Sequence, residues 1–364
     1  MEKKITKRSA EDRILGSLVC GALGDALGYP VEFMDLDMIH EVFGENGIRE
    51  LYLFDGEEKA VISDDTQMTI FTREALGIIK QLENRGLLTR DRIWYIKERY
   101  LDWFRTQQKR FDEFRYVGLD REPLTVLVNE PRLIKRRAPG RTCLDSLYEI
   151  ISKDIDVEDY ISLVRNDSKG CGGVMRIAPV ALYRRPRNED DLEDLDMLAA
   201  QAAAVTHTHP LGFITAAMLV HIISSIVYPM KEQTLEEIVS DAKDRMLRMF
   251  RGYEDTQYLA ELTDLAVTLS LNDKDDIDNL ILLGEGWVAE ETLAIAIYCA
   301  LRYRNDPVKG LIAAVNHDGD TDSTGAVTGN ILGALCGFSS LPEDWVRKLE
   351  LMDVLKKEAT GLFE

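Results

Sequence analysis

Apolar residues recur at three- and four-residue intervals over most of this 364-residue chain, the period of helices that bury one face. The clearest run starts after Ser9, which forms a capping pattern with Asp12 three residues on, and continues through Ile14, Leu15, Leu18, Val19, Ala22, Leu23, Ala26 and Leu27. The same period predicts helices over 68–81, 92–105, 196–205, 211–228, 235–251, 290–303 and 307–315, with a further run over 324–335. Two-residue alternation is sparse, and 50–54 is its best case. The pattern therefore predicts an all-α fold. No linker, low-complexity tract or fixed-period repeat divides the chain, so one domain over 1–364 is expected.

Two glycine sets modify this picture. Gly16, Gly21 and Gly24 in the first helix would let a neighbour approach closely, and Gly325, Gly329, Gly333 and Gly337, four residues apart, leave one face of the last long helix almost bare backbone. The uncharged stretch 211–228 is nearly long enough to span a bilayer. It is bracketed by Pro210 and Pro229 and contains His221, Ser224 and Ser225, which favours a buried core helix and no membrane partner.

The formal net charge of -20 argues against a nucleic-acid groove, which would need clustered Lys and Arg. The run Lys135-Arg136-Arg137 is too short to reverse that, although an anionic small ligand remains compatible with a local cation. Five widely spaced cysteines without a CxxC pair, and no signal peptide ahead of them, fit a reducing cytoplasm.

Candidate chemistry concentrates in two acidic clusters, Ser63-Asp64-Asp65-Thr66 and Asp318-Gly319-Asp320-Thr321-Asp322-Ser323-Thr324, each placed where a helix should begin. Hydroxyls beside carboxylates, without His or Cys, suit magnesium or manganese better than zinc or copper. Helix N-termini would keep these aspartates ionised and fixed in direction. Ordinary capping accounts for Ser63–Thr66 taken alone, whereas three alternating acids exceed what a cap needs. Two such clusters brought together predict a binuclear divalent-metal centre.

Rival readings of the second cluster fail on spacing or context. An EF-hand loop would need Gly at the position of Ser323 and Glu at that of Gly329. A dehalogenase-type phosphatase loop, matched by Asp320-x-Asp322-x-Thr324, normally follows a buried strand early in an α/β domain. The stretch Lys169-Gly-Cys171-Gly172-Gly173-Val174-Met175-Arg176 is either a backbone cradle for phosphate or ribose or a plain loop. His207 is a pocket residue or a satisfied structural histidine, and Asp25 and Glu32 are caps or, for Glu32, an acid or base.

Taken in order, Gly24-Asp25-Ala-Leu-Gly28 with Glu32, Ser63-Asp-Asp-Thr66, Gly172-Gly-Val-Met-Arg176, Thr206-His207 and Gly319-Asp-Thr-Asp-Ser323 resemble the ADP-ribosylglycohydrolase family over about 13–337. The chain is similar to the branch with dinitrogenase-reductase-activating glycohydrolases and ADP-ribosylarginine hydrolases. The resemblance implies an orthogonal all-α fold around two Mg2+ (or Mn2+), with Ser63, Asp64, Asp65, Asp320, Asp322 and Ser323 as ligands and Asp318 outside them. It implies Gly172, Gly173, Val174 and Met175 along the ribose and diphosphate pocket, His207 nearby, and Glu32 at the entrance as gate or acid–base group. Asp65, Asp320 and Glu32 are then the expected catalytic residues. The implied partner is an ADP-ribosylated protein, with arginine as acceptor, or a small-molecule ADP-ribosyl conjugate, acted on by a monomer. A catalytically silent relative on the same scaffold is the alternative, as is a hydrolase of serine or nucleobase conjugates. Cys171 departs from the small polar residues associated with its loop, and the unpatterned stretch 106–137 is where acceptor contacts are expected.

Overall fold

The computed structural model describes residues 8–108 and 122–360, so 109–121 of the expected acceptor loop lie outside the described residues. The helices in chain order are α1 (Ala10–Gly28), α2 (Leu36–Phe43), α3 (Asp64–Arg85), α4 (Arg92–Gln108), α5 (Arg141–Ser152), α6 (Ala178–Leu182), α7 (Glu189–Ala204) and α8 (Pro210–Val227). They continue as α9 (Leu235–Met249), α10 (Asp255–Ser270), α11 (Asp276–Leu280), α12 (Ala289–Arg302), α13 (Pro307–Val315), α14 (Thr321–Cys336), α15 (Glu343–Lys348) and α16 (Met352–Thr360). No strand occurs among the described residues. The chain is all-α, as the periodicity predicts.

The alternation at 50–54 forms no strand. Isolated bridges occur elsewhere, Ala60 with Leu349 and Gly170 with Val288. Ser9 caps α1 as its sequence indicates, accepting from the Asp12 amide at 3.2 Å. The helices α5 and α10 escaped the pattern reading, and α7 begins earlier than its apolar run because Asn188 caps it.

The centre of the fold is an antiparallel pair, α1 against α14, and the glycines are its cause. A Cβ placed on Gly24 would lie 2.0 Å from the Gly325 carbonyl oxygen, one on Gly329 2.1 Å from that of Cys20, and one on Gly333 2.1 Å from that of Gly16. No side chain fits between these backbones. Buried polar groups fix the register: Ser17 Oγ donates to the Asn330 carbonyl and Asn330 Nδ2 donates back to that of Ser17, both at 2.9 Å. Arg13 Nη1 also donates to the Ala334 carbonyl at 2.7 Å. Gly329→Leu is therefore expected to destabilise the protein by about 3 kcal/mol, the upper range for overpacking, because backbone rather than a flexible side chain must yield. An unchanged melting temperature for that variant would contradict this packing.

Around the pair, α8 is enclosed by α7, α9, α10 and α12. The α8 helix and the segment Ala10–Val31 are both long and apolar enough to cross a membrane, yet 89% and 83% of these windows are buried within the protein. The helix over the 211–228 stretch is core here. The basic run is spent locally, with Lys135 paired to Glu57 at 2.8 Å and Arg137 to the buried Glu350.

Candidate active site

The helix pairing decides where the acidic clusters meet. Because α14 runs antiparallel to α1, its N-terminus lies beside the end of α1, where Thr321 Oγ1 donates to the Gly28 carbonyl at 2.9 Å. One turn back on α1, the fully buried Asp25 accepts from the amides of Ser63 at 2.8 Å and Thr66 at 3.0 Å. Asp25 thus caps a helix remote in sequence and docks the start of α3 against the start of α14. Burial raises its pKa to about 6, against hydrogen bonds from Thr66 and Ser63 that lower it.

Residues from the two ends of the chain then touch: Ser323 Oγ donates to Asp65 Oδ2 at 2.9 Å. Ser63 is the N-cap of α3 and accepts from the Asp65 amide at 3.2 Å. Asp320 is the N-cap of α14 and accepts from the Ser323 amide at 3.2 Å, with Asp322 Oδ1 accepting from the same amide at 2.9 Å. Asp64 Oδ2 accepts from the Gly140 amide at 3.2 Å. The turn before α14 depends on Gly319, whose φ of +122° and 1.9 Å Cβ approach to the Glu285 carbonyl admit no side chain. Asp318 lies outside this cluster, accepting from the Leu36 amide at 2.6 Å.

These groups open on a cleft of about 330 Å³ lined by Glu32, Asp64, Asp65, Gly172, Met175, His207, Asp320, Asp322 and Ser323. Gly173 and Val174 do not line it. Val174 is fully buried, and a Cβ on Gly173 would meet the Gly212 carbonyl oxygen and the Ala203 side chain, so both support the turn from beneath. Gly172 must lack a side chain, because a Cβ there would press on Cys143 Sγ at 2.7 Å and His207 Cε1 at 2.9 Å. The fully buried Arg176 braces the turn, bonding the Gly172 carbonyl and Thr206 Oγ1 (2.7 Å) with its guanidinium 4.4 Å over the Tyr100 ring. His207 is held at Nδ1 by Thr206 Oγ1 at 2.8 Å, and burial beside Arg176 and Arg165 lowers its pKa to about 3, so the ring is neutral.

Cys171, which the sequence marks out in its loop, donates from Sγ to Asp320 Oδ2 at 2.8 Å. Sequence reasoning missed Phe33, Arg141, Cys143 and Trp287, which also line the cleft. The glycines just before Trp287, Gly284 (φ +110°) and Gly286 (φ +81°), were the available signal for a shaped turn there.

The electrostatics are those of crowded acids. Burial first, then Asp320 and Asp64, raises Glu32 to about 9, and its Oε2 is buried without a partner. Burial and neighbouring carboxylates likewise raise Asp64, Asp65 and Asp322 well above the ordinary range. Among the described residues, no three His, Cys, Asp or Glu side chains converge on one point as ligands, since the carboxylates are turned to each other's neighbours and to backbone amides. The donor set nonetheless fits a hard divalent cation in kind: buried carboxylate and hydroxyl oxygens whose mutual repulsion such an ion would relieve.

That repulsion has a sign. Carboxyl groups with raised folded pKa values retain protons that the unfolded chain releases, so their contribution to stability is full below about pH 4 and is lost as pH rises towards the Glu32 value of about 9. In chelator, the melting temperature is expected to fall across that window, and added magnesium to restore more of it at high pH than at low. A magnesium effect independent of pH would contradict the arrangement.

The family model for ADP-ribosylglycohydrolase matches residues 6–364. The chain belongs to the ADP-ribosylglycohydrolase family. Among curated relatives, this chain is 24% identical to the ADP-ribosyl-[dinitrogen reductase] glycohydrolase of Rhodospirillum rubrum, covering 95% of this chain and 93% of that one. It is 23% identical to the ADP-ribosylarginine hydrolase Tri1 of Serratia proteamaculans, covering 99% and 81%. The ADP-ribosylhydrolase ARH3 of Gallus gallus is 29% identical, but over only 54% of this chain and 58% of its own length. A solved ADP-ribosylglycohydrolase-related protein complex superposes with a TM-score of 0.61 at 22% identity, covering 98% of both chains, and shares the fold. The residues on which the chain's resemblance to the family rests, among them Glu32, Asp65, Gly172, His207, Asp320 and Asp322, line the cleft at the α3 and α14 N-termini.

Proposed function

We propose that this protein is a divalent-metal-dependent hydrolase that removes ADP-ribose from modified arginine on protein. The observation that carries the reading is the contact of Ser323 with Asp65, which joins the two acidic clusters over one cleft. Ser63, Asp64, Asp65, Asp320, Asp322 and Ser323 would hold two magnesium or manganese ions. Such ions supply Lewis acidity and an activated water at neutral pH.

The chain's own groups supply the rest. The backbone of the Gly172 turn, rigid under Arg176, offers close approach to a sugar or phosphate. Neutral His207 presents a hydrogen-bonding edge without adding a positive charge to the cleft. Glu32 lines the cleft, and its pKa is raised first of all by burial, which suits it to deliver a proton to the departing acceptor. Arginine as acceptor is supported by the relative named as an ADP-ribosylarginine hydrolase, which matches along nearly the whole chain.

The test is release of ADP-ribose from an ADP-ribosyl-arginine peptide by purified protein with magnesium, manganese or chelator. Metal-dependent release is expected. Tight ADP-ribose binding without release from any conjugate would instead support a silent binding protein.

A further inference from the structure

Directly after Glu32, Phe33 leaves 72% of its surface exposed, an unusual place for a large apolar ring. It stacks on Trp287, itself 40% exposed, with ring centroids 6.3 Å apart and planes 22° from parallel. Both rings line the cleft with Glu32, Asp320 and Asp322.

The pair is anchored by the loops that carry the candidate site. The Leu36 amide donates to Asp318 at 2.6 Å, the Asp320 amide to the Glu285 carbonyl at 2.8 Å, and the Cys171 amide to the Trp287 carbonyl at 3.2 Å. Three segments, 29–39, 281–291 and 316–324, are thereby tied together, and none contains Lys or Arg. Their exposed charges are Asp35, Asp37, Glu285 and Asp318, all acidic. Arg141, a cation that lines the cleft from the start of α5, is exposed and paired with Asp145 at 3.3 Å.

We infer that Phe33 and Trp287 form the acceptor-side platform and select a planar, cationic leaving group, the guanidinium of arginine, over an uncharged hydroxyl acceptor such as serine. This rests on the hydrolase reading above. A guanidinium stacks on aromatic faces and is drawn to the ring quadrupole, and the acidic rim adds the complementary field. A serine acceptor offers neither plane nor charge.

The experiment compares wild type, Phe33→Ala, Phe33→Leu and Trp287→Ala on matched ADP-ribosyl-arginine and ADP-ribosyl-serine peptides, with binding of each peptide and of free ADP-ribose measured by calorimetry. Wild type is expected to prefer the arginine conjugate. The arginine-to-serine ratio of kcat/KM is expected to fall about 3- to 30-fold in each variant, with ADP-ribose affinity unchanged. Equal losses on both peptides, no loss on arginine, or a Phe33→Leu variant that keeps the full ratio would overturn the platform. A wild type that hydrolyses neither peptide would sink the hydrolase reading instead. The platform would then stand or fall on whether the variants lose affinity for the arginine peptide relative to ADP-ribose.

Discussion

Asp65→Ala and Asp320→Ala are each expected to lower turnover of an ADP-ribosyl conjugate by about 10³-fold, while circular dichroism and the melting profile stay close to wild type. The size follows from removing a charged group aimed at the reacting centre. The fold is expected to survive because each loss relieves repulsion among buried acids. Neither residue is part of the apolar core, and the α1–α14 contact that sets the architecture does not involve them. Full activity in either variant with metal present would show that the ligand assignment is wrong. Loss of folding would show that these carboxylates serve stability instead.

Glu32→Gln is expected to have the next largest effect, a fall in kcat of about 10²- to 10⁴-fold, the usual contribution of a positioned acid or base. The amide keeps the shape of the side chain and its place against Asp322 but has no titrating proton. Affinity for ADP-ribose is therefore expected to change little, and the limb of the pH–rate profile belonging to Glu32 to disappear. If the Glu32→Gln variant turns over at the wild-type rate with the same profile, Glu32 is a gate or a lining residue and the proton comes from elsewhere.

The contrast between what was legible in the sequence and what was not follows the range of the interactions. The two acidic clusters read as helix starts because capping is local, a side chain meeting an amide two or three residues on, although the second helix begins at Thr321 under Asp320 rather than at the run from Thr324 that Ser323 precedes. The four-residue glycine spacing read as a close-packed face for the same reason. That Gly24 meets Gly325, and so brings Asp65 to Ser323, is a property of two segments near opposite ends of the chain, and periodicity is blind to it. Asp25 capping the α3 helix across a chain reversal is likewise non-local. Helices α5 and α10 escaped notice, and the alternation at 50–54 formed no strand. The rim aromatics Phe33 and Trp287 carried no motif at all, since an exposed ring leaves no period behind.

The central claim is that the N-termini of α3 and α14 jointly hold divalent cations over the cleft. Crystals grown in manganese, measured for anomalous scattering, test it most directly. Two anomalous peaks are expected among Ser63, Asp64, Asp65, Asp320, Asp322 and Ser323, with Ser323 turned from Asp65 towards metal. An ordered site with no anomalous density between these helix ends, and Ser323 still bonded to Asp65, would contradict the account.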